Sequence, residues 1–292
     1  MEMTLPLLTY GPLGSQFVPF DLGNLVSCLS LRPVGEGRFE GDNLDLDYRR
    51  VFGGQLLAQT VQALRVGSDG KSLKSLTQLF PREGDVSLPV TYDVTPHHVG
   101  RTFASYGVRL TQAEKLISVA TASLHAPEPG LEVPASRPEV GGPDDAKPVE
   151  IPMIPWEIRV VDGVDLNSTE TGPAVFRMWL RASLLASLTD DDSDWTHQSL
   201  LAHATDLTVI GTALRPVEGL SQADTGAAFH SAVTSHSLWF HAPFRMTEWV
   251  LVDQAAPVLS GGRAFGRGDV WTEDGRLAAS FAQESMIRLL ER

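Results

Sequence analysis

The stretch THQSLLAHATDLTVIGTAL, residues 196–214, carries one formally charged side chain, Asp206. A helix drawn through it has Leu200, Ala204, Leu207 and Gly211 along one side and Ala202, Val209, Ile210 and Ala213 along the other. A helix apolar nearly all round is enclosed by protein. Taking an ionised carboxylate out of water without compensation costs several kcal/mol, so Asp206 needs partners or a task. Enclosed carboxylates with displaced pKa values concentrate at catalytic sites. The run therefore predicts a buried central helix holding a candidate catalytic group.

Strand-like segments follow this helix at 229–240, 249–255, 263–271 and 277–289. The first half repeats the order, with an uncharged helix at 52–64 and strand-like segments at 72–80, 88–96, 101–110 and 116–125. Leu56-Leu57-Ala58 recurs as Leu200-Leu201-Ala202, and Gly100-Arg101-Thr102-Phe103 recurs as Gly262-Arg263-Ala264-Phe265. In that register Ser118, Ala120 and Ser123 fall on Ser280, Ala282 and Ser285. Matches in one shared order mark a duplication. Between the copies, the segment from Ala126 to Pro155 is rich in Pro and Gly and has no sustained period. The expected organisation is α+β: a unit over 1–130, a linker over 131–155, and a second unit over 156–292 that carries the chemistry. In each unit an antiparallel sheet curls around a central helix, and the two form a pseudo-two-fold pair.

At 292 residues and 42% hydrophobic content, the chain can bury one large core or two ordinary ones. Its single cysteine, Cys28, excludes an intramolecular disulfide and suits a reducing, cytoplasmic setting. One thiol and scattered histidines give no metal-ligand spacing, so neither metal nor cofactor is expected. Residues 1–22 lack the basic flank and apolar core of a signal peptide. No apolar run approaches the roughly 20 residues of a membrane span. With 36 acidic and 23 basic residues the net charge is −13, which argues against nucleic acid or an anionic membrane as partner. A phosphate-bearing ligand would need a local basic patch or backbone N–H groups.

Asp206 needs neighbours, and the last strand offers one. Alternation puts Leu277, Ala279, Phe281, Gln283, Ser285 and Ile287 on one face, so Gln283 sits in a largely apolar row where its amide must find partners. On the strand at 229–240, Val233, Ser235 and Ser237 share one face while Ala232, Thr234 and His236 share the other. Which face looks inward is open. His236, His241 and His203 have acid–base chemistry available, although a lone histidine in such places is more often structural. Where the first helix opens, Gly53, Gly54 and Gln55 offer free N–H groups and close backbone approach, suited to a carbonyl oxygen or a phosphate. The first unit reads as a degenerate copy, with Gln62 and Thr121 in register with Asp206 and Gln283. One catalytic centre per chain is expected, in the second unit.

Taken together, these segments resemble the acyl-CoA thioesterase II family, a double hotdog fold. The resemblance runs from about Leu25 to the C-terminus. It is carried by Arg50-Val51-Phe52-Gly53-Gly54-Gln55; Tyr92-Asp93-Val94 and Gly100-Arg101-Thr102-Phe103; Thr121-Ala122-Ser123-Leu124-His125-Ala126-Pro127-Glu128; Thr205-Asp206-Leu207; His236-Ser237-Leu238-Trp239-Phe240-His241; and Gln283-Glu284. It implies a homo-oligomer that hydrolyses acyl-CoA to free fatty acid and coenzyme A. It also implies an Asp, a Gln and a Thr or Ser hydroxyl that orient and activate a water. By match the Asp is Asp206 and the Gln is Gln283. The hydroxyl position is held by Val233, which cannot hydrogen-bond. Ser235, two residues on and on the same face, is the expected stand-in; Thr234 would serve only if the register slipped by one.

Val233 also favours an alternative, a non-catalytic or weakly catalytic protein of this fold that binds acyl-CoA or fatty acid. Asp206 and Gln283 together favour the enzyme. A hotdog hydratase using Asp206 and His203 is a third reading, whose surrounding pattern this chain does not match.

Overall fold

Both uncharged runs are helical and buried in the computed structural model, which describes residues 21–46, 50–151 and 154–290. The reading of residues 1–22 falls almost wholly outside these, and so does Pro152 of the linker. The first unit begins with α1 (Leu22–Cys28), β1 (Arg32–Gly35) and β2 (Arg38–Gly41). It continues through α2 (Gly53–Arg65), β3 (Ser72–Leu79), β4 (Val90–Val99), β5 (Phe103–Gln112) and β6 (Lys115–His125). The second opens with β7 (Lys147–Val149), β8 (Glu157–Val160) and β9 (Val175–Arg181). After the short α3 (Leu185–Leu188) come α4 (Asp194–Thr205) and α5 (Val209–Leu214). Strands β10 (Phe229–Phe240), β11 (Val250–Ser260), β12 (Arg263–Thr272) and β13 (Leu277–Leu289) complete it.

Spatial order is β2-β4-β5-β6-β3 in the first unit and β9-β11-β12-β13-β10 in the second. The two orders are the same topology: an antiparallel sheet with the long helix inserted after its first strand. This is the expected double hotdog. Antiparallel pairing of β3 with β10, from Ser235 opposite Leu79 to Trp239 opposite Ser75, joins the halves into one 13-stranded sheet among the described residues. No helix among them is long and apolar enough to cross a membrane.

Three features depart from the sequence reading. Strands β2 and β9, which precede the helices, were not expected. β2 alternates over only four residues, too short a run to read, and in β9 the successive Met178, Trp179 and Leu180 are all buried, which hides its alternation. Part of the 131–155 segment is ordered into the sheet, because β7 pairs with β8 at the outer edge. The repeat register also fails at Thr121, which is exposed whereas Gln283 is buried. Gln283 pairs with Gly266, whereas the repeat counterpart Ala104 pairs with Leu124, because β12 runs on for fewer residues than β5 before the chain turns back.

Helices α2 and α4 pack antiparallel. Arg65 at the end of α2 pairs with Asp191 ahead of α4, while the start of α2 meets the end of α4. Every residue from Trp195 to Thr205 is buried. Leu57, Leu64, Leu200 and Leu201 are wholly enclosed. Burying each such side chain contributes about 1.5–3 kcal/mol, more than helix propensities differ among ordinary residues. Tertiary enclosure therefore holds these helices, and it places Asp206 at the junction of the two units.

Candidate active site

The 196–214 run is not one helix. It breaks at Asp206, the C-cap of α4 (φ −76°, ψ −25°), and resumes as α5. No Gly or Pro causes the break. The Asp206 carbonyl instead accepts the Gln283 Nε2–H at 3.3 Å, and Thr208 is drawn sideways, its Oγ1 donating to Gln254 Oε1 at 3.1 Å. Long-range partners thus turn Asp206 out of the helical ladder.

Its side chain meets the opening of α2. The Gly54 N–H donates to the carboxylate, while Oδ1 has no hydrogen-bond partner among the described residues. Burial pushes the Asp206 pKa up from 3.8 to about 7, against the pull of that N–H. A carboxyl poised there suits proton transfer at neutral pH. Gly53 makes the approach possible: a β-carbon on it would lie 2.7 Å from Val233 Cγ1 and 2.8 Å from Asp206 Oδ2. Val233 and the carboxylate therefore flank one small space. Gln55 is placed differently. Its buried side chain accepts from Leu44 N at 3.0 Å and donates to Asn43 Oδ1 at 2.8 Å and Gln59 Oε1 at 3.1 Å. That side chain pins the preceding loop, and only the backbone of Gln55 belongs to the helix opening.

Gln283 is buried beside Asp206, with both amide hydrogens engaged and one lone pair of its oxygen left over. Nε2 donates to the Asp206 carbonyl and, at 3.0 Å, to Ser285 Oγ; Oε1 lies 2.8 Å from His236 Nδ1. An amide oxygen only accepts, so this arrangement assigns the proton to Nδ1. Nε2 of the same ring lies 3.1 Å from Thr205 Oγ1, whose one proton it shares with the Ala202 carbonyl at 3.2 Å. Burial pushes the His236 pKa down to about 4, although its bond to Gln283 opposes the shift, so the ring is neutral at pH 7. His236 Nδ1 is 4.0 Å from Asp206 Oδ1.

The structure corrects the expected role of Ser235. A β-bulge at Thr234 shifts the pairing from Val233 opposite Ser285 to Ser235 opposite Glu284. One extra residue reverses the parity of the strand. Val233 and His236 consequently face inward together, and Ser235 faces out with Glu284. Thr234 spends its hydroxyl on the Glu284 carbonyl, at 2.9 Å. Ser235→Ala is therefore expected to leave turnover within about twofold and the melting temperature nearly unchanged, as for a surface substitution. A large loss of kcat would mean that strand β10 is not bulged in solution.

His236 carries no firm role in the sequence, and no local signal marks its place. The run Ser231-Ala232-Val233-Thr234-Ser235-His236-Ser237 has no apolar alternation to fix its faces. His203 packs edge-on between the Phe52 and Trp156 rings, 5.1 and 5.8 Å away by centroid, with burial pushing its pKa down to about 3. His241 is exposed, its Nε2 3.0 Å from Ser280 Oγ. No group of three or more His, Cys, Asp or Glu able to hold a metal occurs among the described residues.

Comparison with known proteins agrees with this architecture. Residues 45–125 match the acyl-CoA thioesterase N-terminal domain, and residues 129–287 match the acyl-CoA thioesterase C-terminal domain. Acyl-CoA thioesterase 2 of Haemophilus influenzae is 32% identical over 293 residues, covering 92% of this chain and 99% of the relative. Acyl-coenzyme A thioesterase 8 of Homo sapiens is 29% identical over 300 residues, covering 93% and 91%. Among solved structures, acyl-CoA thioesterase II from Mycobacterium marinum superposes with a TM-score of 0.75 at 25% identity, covering 91% of this chain and 99% of that one. With both halves matched and a relative above 30% identity along nearly its full length, the chain belongs to the acyl-CoA thioesterase II family.

Proposed function

We propose that this thioester hydrolase acts on acyl-CoA, releasing free fatty acid and coenzyme A, with Asp206 as general base and Gln283 positioning the attacking water. One observation carries the reading: a buried carboxylate with a pKa near 7 and an unengaged oxygen, set against the opening of a helix from the other unit. Asp206 Oδ1 takes a proton from water as the water oxygen bonds to the thioester carbonyl carbon. First-turn N–H groups of α2 at Gly53 and Gln55, which have no acceptor within the helix, are the donors available to the oxyanion. Collapse of the tetrahedral intermediate breaks the C–S bond. The proton on Asp206 then passes to the departing thiolate, leaving the carboxylic acid and restoring the carboxylate.

Free thiol release from a panel of acyl-CoA esters, short to long, tests this directly. Gln283→Ala is expected to lower kcat by about tenfold or more, because a water held by fewer groups is less often aligned for attack. Its effect should be smaller than that of losing the base. Binding of acyl-CoA with no thiol release above the spontaneous rate would instead establish the binding protein that Val233 favours.

A further inference from the structure

We infer that Ser285 supplies the hydroxyl that position 233 lacks. The two residues are direct cross-strand partners, Val233 on β10 and Ser285 on β13. Such partners have β-carbons about 4.5–5.5 Å apart on one face of the sheet. Val233 touches the space beside Gly53 that the Asp206 carboxylate also borders. Moving a hydroxyl from 233 to 285 therefore shifts it by one strand without taking it out of the site.

The bonding of Ser285 fits this role. The residue is wholly buried. Its Oγ accepts from Gln283 Nε2 at 3.0 Å, and among the described residues its own O–H reaches no protein acceptor. A buried hydroxyl with an unused proton is costly unless something receives it. Gln283, Ser285 and Asp206 converge on one place, because a single amide nitrogen bonds both the serine hydroxyl and the Asp206 carbonyl. The receiver in that place is the attacking water, held by the Asp206 carboxylate and by Ser285 together. Ser235 and Thr234 have no such access, one facing out and the other spent on a backbone carbonyl.

This inference rests on the reading of Asp206 and Gln283 as the water-activating pair, and the experiment separates the two. Ser285→Ala is expected to lower kcat about tenfold with KM within about threefold, the kinetic equivalent of one lost hydrogen bond. Adding Val233→Thr to that variant returns a hydroxyl from the opposite strand and is expected to recover most of the loss. A purely structural serine would not be rescued in this way. Full activity in Ser285→Ala overturns the inference. So does a folded double variant, judged by an unchanged thermal melt, that stays as slow as the single one. If Asp206→Asn and Gln283→Ala also keep full activity, the two-residue site has failed and the serine falls with it. Loss in those two with none in Ser285→Ala overturns the serine alone.

Discussion

Asp206→Asn is expected to lower kcat by about 10²–10⁴-fold, the usual weight of general-base catalysis, while making the protein more resistant to heat above pH 7. Both halves come from the same burial. The folded-state pKa lies near 7 against 3.8 for an unperturbed Asp, so folding disfavours the carboxylate. That penalty is absent below the unfolded pKa, grows as pH rises through the interval, and is complete above about 7, where it amounts to something on the order of 4 kcal/mol. An asparagine removes it but leaves a buried NH₂ short of acceptors, at a cost of about 1–3 kcal/mol. The variant should therefore melt higher than the parent at pH 8.5 and no higher at pH 5. In the parent, kcat/KM should rise with pH through about 7 and level off above it, as the base loses its proton. Activity within a few-fold of the parent, or a pH–rate profile flat across this range, would show that Asp206 is structural.

How much of this was legible in the sequence depended on how local the cause was. Strand β10 begins and ends where its pattern predicted, Phe229 to Phe240, because apolar and β-branched residues bounded by turns are a local signal. Both Gly-Arg-x-Phe matches sit at the turns that open β5 and β12, since a tight reversal needs its own residues. Enclosure of the Asp206 helix was readable from the missing charged face. Distant parts of the chain decided what was not readable. The break at Asp206 is made by Gln283 and Gln254, each more than forty residues away. The bulge at Thr234 falls in a run whose polar residues satisfy either face, so no burial pattern could fix the register beforehand. That one residue exchanged Ser235 for His236 at the site. Alternation alone puts Ser285 in the same row as Gln283, but its meaning appears only when β10 is laid beside it.

Gly53→Ala is expected to abolish most activity while the protein stays folded, and the adjacent Gly54→Ala is expected to unfold it or leave it barely stable. At Gly53 a methyl group would sit 2.7 Å from Val233 Cγ1 and 2.8 Å from Asp206 Oδ2, closer than real contacts of this kind come. Both are ends of side chains and can swing away. Overpacking of this sort costs about 1–3 kcal/mol, partly offset by the roughly 1 kcal/mol that alanine gains over glycine in a helix. Swinging the carboxylate aside, however, breaks its alignment with the Gly54 N–H and with the space where water must stand. A displacement of about 1 Å at a reacting group can cost on the order of 10²-fold. At Gly54 the obstacles differ: the new carbon would lie 2.6 Å from the His203 backbone oxygen and 2.5 Å from the Phe52 ring. A backbone oxygen at the end of a fully buried helix cannot step back, so the two packed helices must separate. Thermal melts and thiol-release rates on the two variants should therefore diverge, one losing kcat with its melt nearly kept and the other losing the melt itself. Full turnover by Gly53→Ala would mean that the carboxylate does not work from beside this glycine.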